Sequence, residues 1–421
     1  NWYRIDVTIP EQVGNFDPTG STVAFEVIVD DYAEVWVNGR MPRVVGQSSG
    51  TVVSGFNSPN RIILAQGITP GQRFQIAVFG INAPISASPD NYIWLRTATL
   101  DFYAADRARA AWKVPFKIVR RDSAVENIVP TDAKLEQVAG DFVFTDGPVW
   151  SNDGYLIFSS PDTNTMYRWA ADGTVNVFRA KSGYNGFDIG EYTQPGSNGL
   201  TFDSEGRLII CEHGNRRISR LEEDGSRTVL VDSYESGRLN SPNDAVFGSD
   251  GSLYFTDPSY GLEELEESPL RELDFNGIYR LRPDGELQLL VRDQTRPNGI
   301  ALSRDESTLY VANSDENQKV WMAYDLDEDG ASNGRVFYDV NDQSEPGAAD
   351  GLKVDLSGNL FATGPGGVWI ISPDGVHLGT IKTGEGTANV GWGDDGHTLY
   401  MTSSTSLYRI RLTTEGHTPG P

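Results

Sequence analysis

Residues 197–213, SNGLTFDSEGRLIICEH, decide the fold. Asn198 opens the segment, a short apolar strand follows, an acidic-Gly turn reverses the chain, and a second strand runs back. The unit recurs at 146–160 (DGPVWSNDGYLIFSS), 242–258 (PNDAVFGSDGSLYFTDP), 297–313 (PNGIALSRDESTLYVAN), 349–365 (ADGLKVDLSGNLFATGP) and 388–404 (ANVGWGDDGHTLYMTSS). Most copies add a third strand and a further turn, as in YRWAADG, ISRLEEDG, IYRLRPDG and VWIISPDG. A period of roughly 40–55 residues marks stacked supersecondary units. Short, evenly spaced strands with almost no helical periodicity predict an all-β chain whose six copies form a six-bladed β-propeller.

Aligned on the turn, the opening polar residue falls at Asp146, Asn198, Asn243, Asn298 and Asp350. The sixth copy is one residue out of register, so Ala388 or Asn389 takes that place. Asp and Asn favour the turn before a strand, which would explain any single copy. Equivalent positions on innermost strands surround a propeller's channel, so two carboxylates and several amides would converge on one axis. Hard oxygen donors of this kind suit Ca²⁺, Mg²⁺ or Mn²⁺.

The 421 residues are enough for two domains. A hydrophobic content of 38% with nine Trp indicates a globular chain. A net charge of −25 argues against nucleic acid, whose phosphates need clustered Lys and Arg. The single cysteine, Cys211, has no internal partner and reads as a buried strand residue. No apolar run approaches the roughly 18 residues of a membrane span. A first residue of Asn1 rather than Met favours an exported protein, periplasmic or secreted, with a cytoplasmic one as the alternative.

Residues 1–104 lack the repeat and alternate as a small antiparallel sandwich, with 105–115 as linker and 116–421 as the propeller domain. FEVIVDDYAEVWVNG resembles the galactose-binding-like jelly roll attached to many glycoside hydrolases. The resemblance implies a carbohydrate-binding module, with Trp36 and Trp94 as stacking candidates; a structural sandwich is the alternative. Residues 117–121 are expected to pair with the C-terminal strand SLYRIRL, and the tail TTEGHTPGP to be disordered. Two excursions, RAKSGYNGFDIGEYTQPG and GLEELEESPLRELDFNG, would border a pocket on one face.

The runs SNGLTFDSEGRLIICEHGNRRISRL, SPNDAVFGSDGSLYFTDPSYGL and DGLKVDLSGNLFATGPGGVWI resemble the gluconolactonase and senescence marker protein (regucalcin) superfamily over residues 120–412. That resemblance implies sugar-lactone hydrolysis with one divalent cation in the channel, Ca²⁺ first, with Mg²⁺, Mn²⁺, Zn²⁺ or Fe²⁺ as alternatives. By the same resemblance Asp146, Asn298 and Asp350 would ligate the cation, and Asn243 would contact it, its water or the substrate. Asp146 stands where the family has Glu, and Ser241 where regucalcins have Arg.

Asp350 would serve as ligand and general base, while Asn198 and Asn243 orient the substrate. His213, in CEHGNRR, would be a general acid or substrate contact, with a bond within its own loop as the alternative. Glu212 and Tyr260 would line the pocket. His377, His397 and His417 read as surface. Alternative functions are a phosphotriesterase or arylesterase, or a metal- or sugar-binding propeller without catalysis.

Overall fold

In the computed structural model the described residues are all except 1, 15, 30, 31, 42–51, 55–58, 66, 82–94, 104–111, 114, 115, 141, 187–190 and 421. Strands make up nearly all of the regular structure, with short 3₁₀ turns between some of them. No helix among the described residues is long and apolar enough to cross a membrane. Most of the linker, 105–115, lies outside the described residues; Trp112–Lys113 forms a short edge strand on Leu135–Ala139.

The N-terminal unit consists of two antiparallel sheets. One is ordered Trp2–Thr8, Arg73–Ile81, Tyr32–Val37, Val52–Ser54; the other Pro59–Ala65, Thr22–Val29, Leu95–Tyr103. Val23, Phe25, Val27, Val35, Ile62, Ile76 and Val78 are buried between them, as strict alternation dictates. Pro59–Ala65 packs on Val175–Ala180, and a continuous apolar cluster joins this unit to the repeats.

The repeats form six antiparallel sheets, each built on three or four strands consecutive in sequence, and the fifth and sixth are extended by strands that precede the first repeat. Their first strands are Asp146–Ser151, Ser197–Phe202, Ala245–Phe247, Pro297–Leu302, Leu352–Val354 and Thr387–Gly393. Each first strand packs on the next, and the sixth packs on the first. The inner strands are buried on both faces, whereas the fourth strand of sheet four, Ala331–Asp339, is largely exposed. Gly154, Gly206, Gly251, Gly358 and Gly396 turn the first hairpin at φ of 86°, 77°, 83°, 87° and 84°. The fourth copy makes the same turn with Glu306 at φ 58°.

Two expectations are corrected. Lys117–Arg120 pairs with His377–Lys382 as a fifth strand of sheet five; Leu135–Ala139 is the segment that pairs with Ser406–Arg411 and completes sheet six. LEQVA buries Leu135, Val138 and Ala139, while KIVR buries none of its residues fully. The C-terminal tail is docked rather than disordered. Thr414 Oγ1 donates to Asp355 Oδ2 at 2.6 Å, Gly416 N donates to Gly396 O at 2.9 Å, and Gly416 lies against the Trp392 ring too closely for a Cβ.

Candidate functional site

The six first strands meet at a buried polar centre. Backbone pairing settles its register: Gly199 N donates to Asn243 O, and Gly351 N donates to Ala388 O, both at 2.7 Å. Ala388 therefore holds the backbone position equivalent to Asn243. Asn389, one residue later, matches Asp244 and the glycines 147, 199, 299 and 351. Those glycines let the strands approach. A Cβ on Gly147 would lie 2.1 Å from Asn198 O, and one on Gly351 2.0 Å from Asn389 Oδ1.

Hydroxyls on second strands hold the next sheet's opening residue. Ser159 Oγ donates to Asn198 O at 2.7 Å, Thr256 Oγ1 to Asn298 O at 2.6 Å, and Thr363 Oγ1 to Ala388 O at 3.0 Å. Sequence reasoning missed these groups, although Ser or Thr in LIFSS, LYFTDP and LFATGP was their visible signal.

Asp146 and Asp350 are brought together here, Asp146 buried and Asp350 partly buried. Burial is the main cause that pushes Asp146 up to about 7; the Gly147 N–H and the Asn389 and Asn198 amides act against it, and Asp244 adds to it. Asp350 is raised well above the usual carboxylate range, by burial first and then by Asp146 and Asp244; Asn298 acts to lower it. Two carboxyls this close cannot both ionise without a compensating charge. A carboxylate only accepts, so Asn198 and Asn298 turn their NH₂ groups towards the acids. Their Oδ1 atoms are left buried without a donor.

Acceptors without donors beside two repelling carboxyls fit a hard cation. Among the described residues no group of three or more His, Cys, Asp or Glu is placed to hold a metal by itself. The donor set here is instead two carboxylates and amide oxygens. Asn243 is buried next to it, its N–H on Thr256 O at 2.8 Å.

Tyr260 is connected to this centre. Its hydroxyl lies 2.7 Å from Ser314 Oγ, which accepts from Asn298 Nδ2 at 3.1 Å. Burial pushes the Tyr260 hydroxyl up to about 12. The two excursions that frame this side pair with each other: Glu263 N donates to Glu191 O at 3.1 Å, and Thr193 Oγ1 to Leu262 O at 3.3 Å.

His213 lies behind Gly261, which has no room for a Cβ between the Cβ atoms of His213 and Ser241. Both ring nitrogens are buried without a hydrogen-bond partner. Burial pushes the ring down to about 3, a polar contact with the Gln194 backbone acting in the opposite sense. Burial therefore favours the neutral imidazole.

Glu212 points elsewhere. Its carboxylate pairs with Arg217 at 2.9 Å and Arg227 at 2.8 Å, and accepts from Ser219 and Asn215. Cys211 is buried, and burial raises its thiol well above the usual range. His377 is buried, contrary to the surface reading, and stacks on Trp369 at 4.0 Å. Trp36 is half-buried with its indole N–H on Glu34 Oε2 at 3.0 Å; Trp94 lies outside the described residues.

Residues 144–405 match the SMP-30/Gluconolactonase/LRE-like region. The chain belongs to that family. It is 39% identical over 311 residues to the gluconolactonase of Zymomonas mobilis, covering 71% of this chain and 87% of that protein. A solved gluconolactonase from Xanthomonas campestris is 30% identical with a TM-score of 0.63, covering 72% of this chain and 97% of that one. The calcium-binding protein regucalcin from Agrobacterium tumefaciens shares the fold, with 18% identity, a TM-score of 0.52, and 67% and 94% of the two chains covered. The stretch of this chain that matches the SMP-30/gluconolactonase family runs from just before Asp146 to beyond Asn389, so it contains the whole buried centre.

Proposed function

We propose that this chain is a divalent-cation-dependent lactonase acting on aldonolactones or related cyclic esters. In this reading the six sheets are blades of a propeller closed around a channel, and the N-terminal unit is a jelly-roll-like sandwich. The observation that carries it is the mutually repelling pair Asp146 and Asp350 beside the buried, donorless Oδ1 atoms of Asn198 and Asn298. Relatives named gluconolactonase support the substrate class.

Asp146, Asn298 and Asp350 would hold the cation, with Asn243 beside them; oxygen donors favour Ca²⁺. When bound, the cation supplies Lewis acidity to the lactone carbonyl. Asp350 would accept the proton of the attacking water. Asn198 and Asn243 orient the substrate, because an amide both donates and accepts. The Tyr260 hydroxyl would be a binding group for a sugar hydroxyl, with neutral His213 packed behind Gly261 in support. Glu212, already paired with two arginines, is left to stability.

The test is proton release from a panel of aldonolactones after EDTA treatment, then with Ca²⁺, Mg²⁺, Mn²⁺ or Zn²⁺ restored, and with Asp350→Asn as control. Turnover restored by a cation and lost in Asp350→Asn is the expected result. A cation-loaded protein inert towards every lactone would overturn the proposal, and aryl and phosphate esters in the same panel would then identify a different hydrolase.

A further inference from the structure

We propose that Lys353 sets the charge of the cation this site accepts, by cancelling a third carboxylate, Asp244, that faces the same centre. The inference rests on the cation reading of Asp146 and Asp350 above.

Asp244 breaks the repeat, because it stands where four of the other copies carry Gly147, Gly199, Gly299 and Gly351. Its side chain is fixed: Oδ1 accepts from Ala245 N at 2.9 Å, and the backbone of Gly199 packs so close that a Cβ there would lie 2.7 Å from Oδ1. It acts electrostatically on both Asp146 and Asp350. Three carboxyls thus set the charge felt at the centre, Asp244 acting from beside Gly199.

Lys353 supplies the opposite charge from a different sheet. Its Nζ lies 3.3 Å from Asp244 Oδ2 and donates to Leu352 O at 3.0 Å. Sheet four separates sheets three and five around the ring, so this pair spans the ring interior. The Asp244 side chain is 2% exposed and that of Lys353 19%, so the ion pair is little screened by water. Among the described ion pairs, this is the one that involves any of the three carboxyls.

Three carboxylates and one ammonium leave two negative charges, which a divalent cation neutralises. Without the ammonium, three would remain and a trivalent cation would be preferred, since charge balance dominates ion choice in a little-screened site.

The experiment measures Ca²⁺ affinity by calorimetry and Tb³⁺ affinity by sensitised luminescence on the full chain. The variants are Lys353→Met, Lys353→Arg, Asp244→Asn and the double Lys353→Met/Asp244→Asn. Asp350→Asn assigns the signal to this centre, and thermal melts confirm folding. Lys353→Met is expected to raise the Tb³⁺-to-Ca²⁺ affinity ratio about tenfold or more, and Lys353→Arg to leave it near wild type. Asp244→Asn should lower it, and the double variant, with two charges again, should restore it.

A merely structural role for Lys353 would lower the melting temperature without moving the ratio, and that result overturns the inference. If Lys353→Met does not fold, an unchanged ratio in Asp244→Asn overturns it equally. Wild-type protein that binds no Ca²⁺ or other divalent cation overturns the cation reading itself, and this inference falls with it.

Discussion

The Tyr260 hydroxyl lies 2.7 Å from Ser314 Oγ, and through that serine it reaches Asn298, the amide beside Asp350. A side chain on an excursion loop is thereby linked to the innermost strands. Tyr260→Phe removes one partner of Ser314 and leaves the fold intact. We expect a several-fold rise in KM for lactones with cation affinity changed by less than about twofold, whereas Ser314→Ala should weaken both. Parallel steady-state kinetics and calorimetry check this.

The raised acids make the cation-free protein sensitive to pH. Asp146 has a folded value of about 7 against an ordinary 3.8, so the stability it contributes is complete at low pH and is lost as pH rises through about 7. Asp257, also buried at about 7, has the same sign. His213 has the opposite sign, but its contribution changes only below its ordinary 6.5. Between pH 6.5 and 8 the acids therefore dominate. In EDTA the melting temperature should fall over that window, and Asp146→Asn should flatten the slope. Ca²⁺ binding at pH 7 should release protons, measurable by calorimetry in buffers of different ionisation enthalpy.

Glu212→Gln separates support from site. The substitution leaves Arg217 and Arg227 facing a neutral amide in a buried pocket, which costs about 3–5 kcal/mol of stability. Denaturant unfolding should show that loss, while Ca²⁺ affinity and the KM of the surviving folded fraction stay near wild type. An altered KM with unchanged stability would return Glu212 to the substrate pocket.

Gly351→Ala tests the close approach of sheets five and six. The new methyl would meet Asn389 Oδ1 at 2.0 Å and push this amide away from Asp146. Overpacking of this kind costs about 1–3 kcal/mol, and cation affinity should fall with it. Gly154→Ala, where nothing lies within 4 Å, is the control: φ is 86°, so stability alone should drop.

Trp2 is 61% exposed, with its ring centroid 4.9 Å from Phe79 and 6.4 Å from Trp36 on one outer face of the N-terminal unit. If this face stacks on sugar, Trp2→Ala should abolish retention on insoluble polysaccharide and leave lactone turnover unchanged. Retention by the variant equal to wild type sinks the idea.

Much of this was legible because hairpin turns fix register. Once Gly154, Gly206, Gly251 and Gly358 are recognised as turns, counting back places Asp146, Asn198, Asn243 and Asp350 at one level. What lies one residue further on was not legible. Asp244 and Asn389 sit in glycine slots, and pairing between sheets, Gly199 with Asn243 and Gly351 with Ala388, is what fixes that register. Lys353 reaches its partner across the ring, a relation no local pattern contains.

Glu212 was a different kind of miss. It lies on a second strand between Cys211 and His213, and strand alternation alone puts its carboxylate on the opposite face from theirs. The strands Lys117–Arg120 and Leu135–Ala139 were hard to place because a four- or five-residue segment pairs wherever an edge is free.

Those two strands have a consequence for biosynthesis. Lys117–Arg120 and Leu135–Ala139 leave the ribosome before any of the six repeats, yet their partners, His377–Lys382 and Ser406–Arg411, are made only with the fifth and sixth. The edge each will offer to its partner stays open until then; the fifth sheet captures Lys117–Arg120 and the hairpin of the sixth captures Leu135–Ala139. Completion of these two sheets waits for the fifth and sixth repeats, and a product stalled before them presents open strand edges to its neighbours.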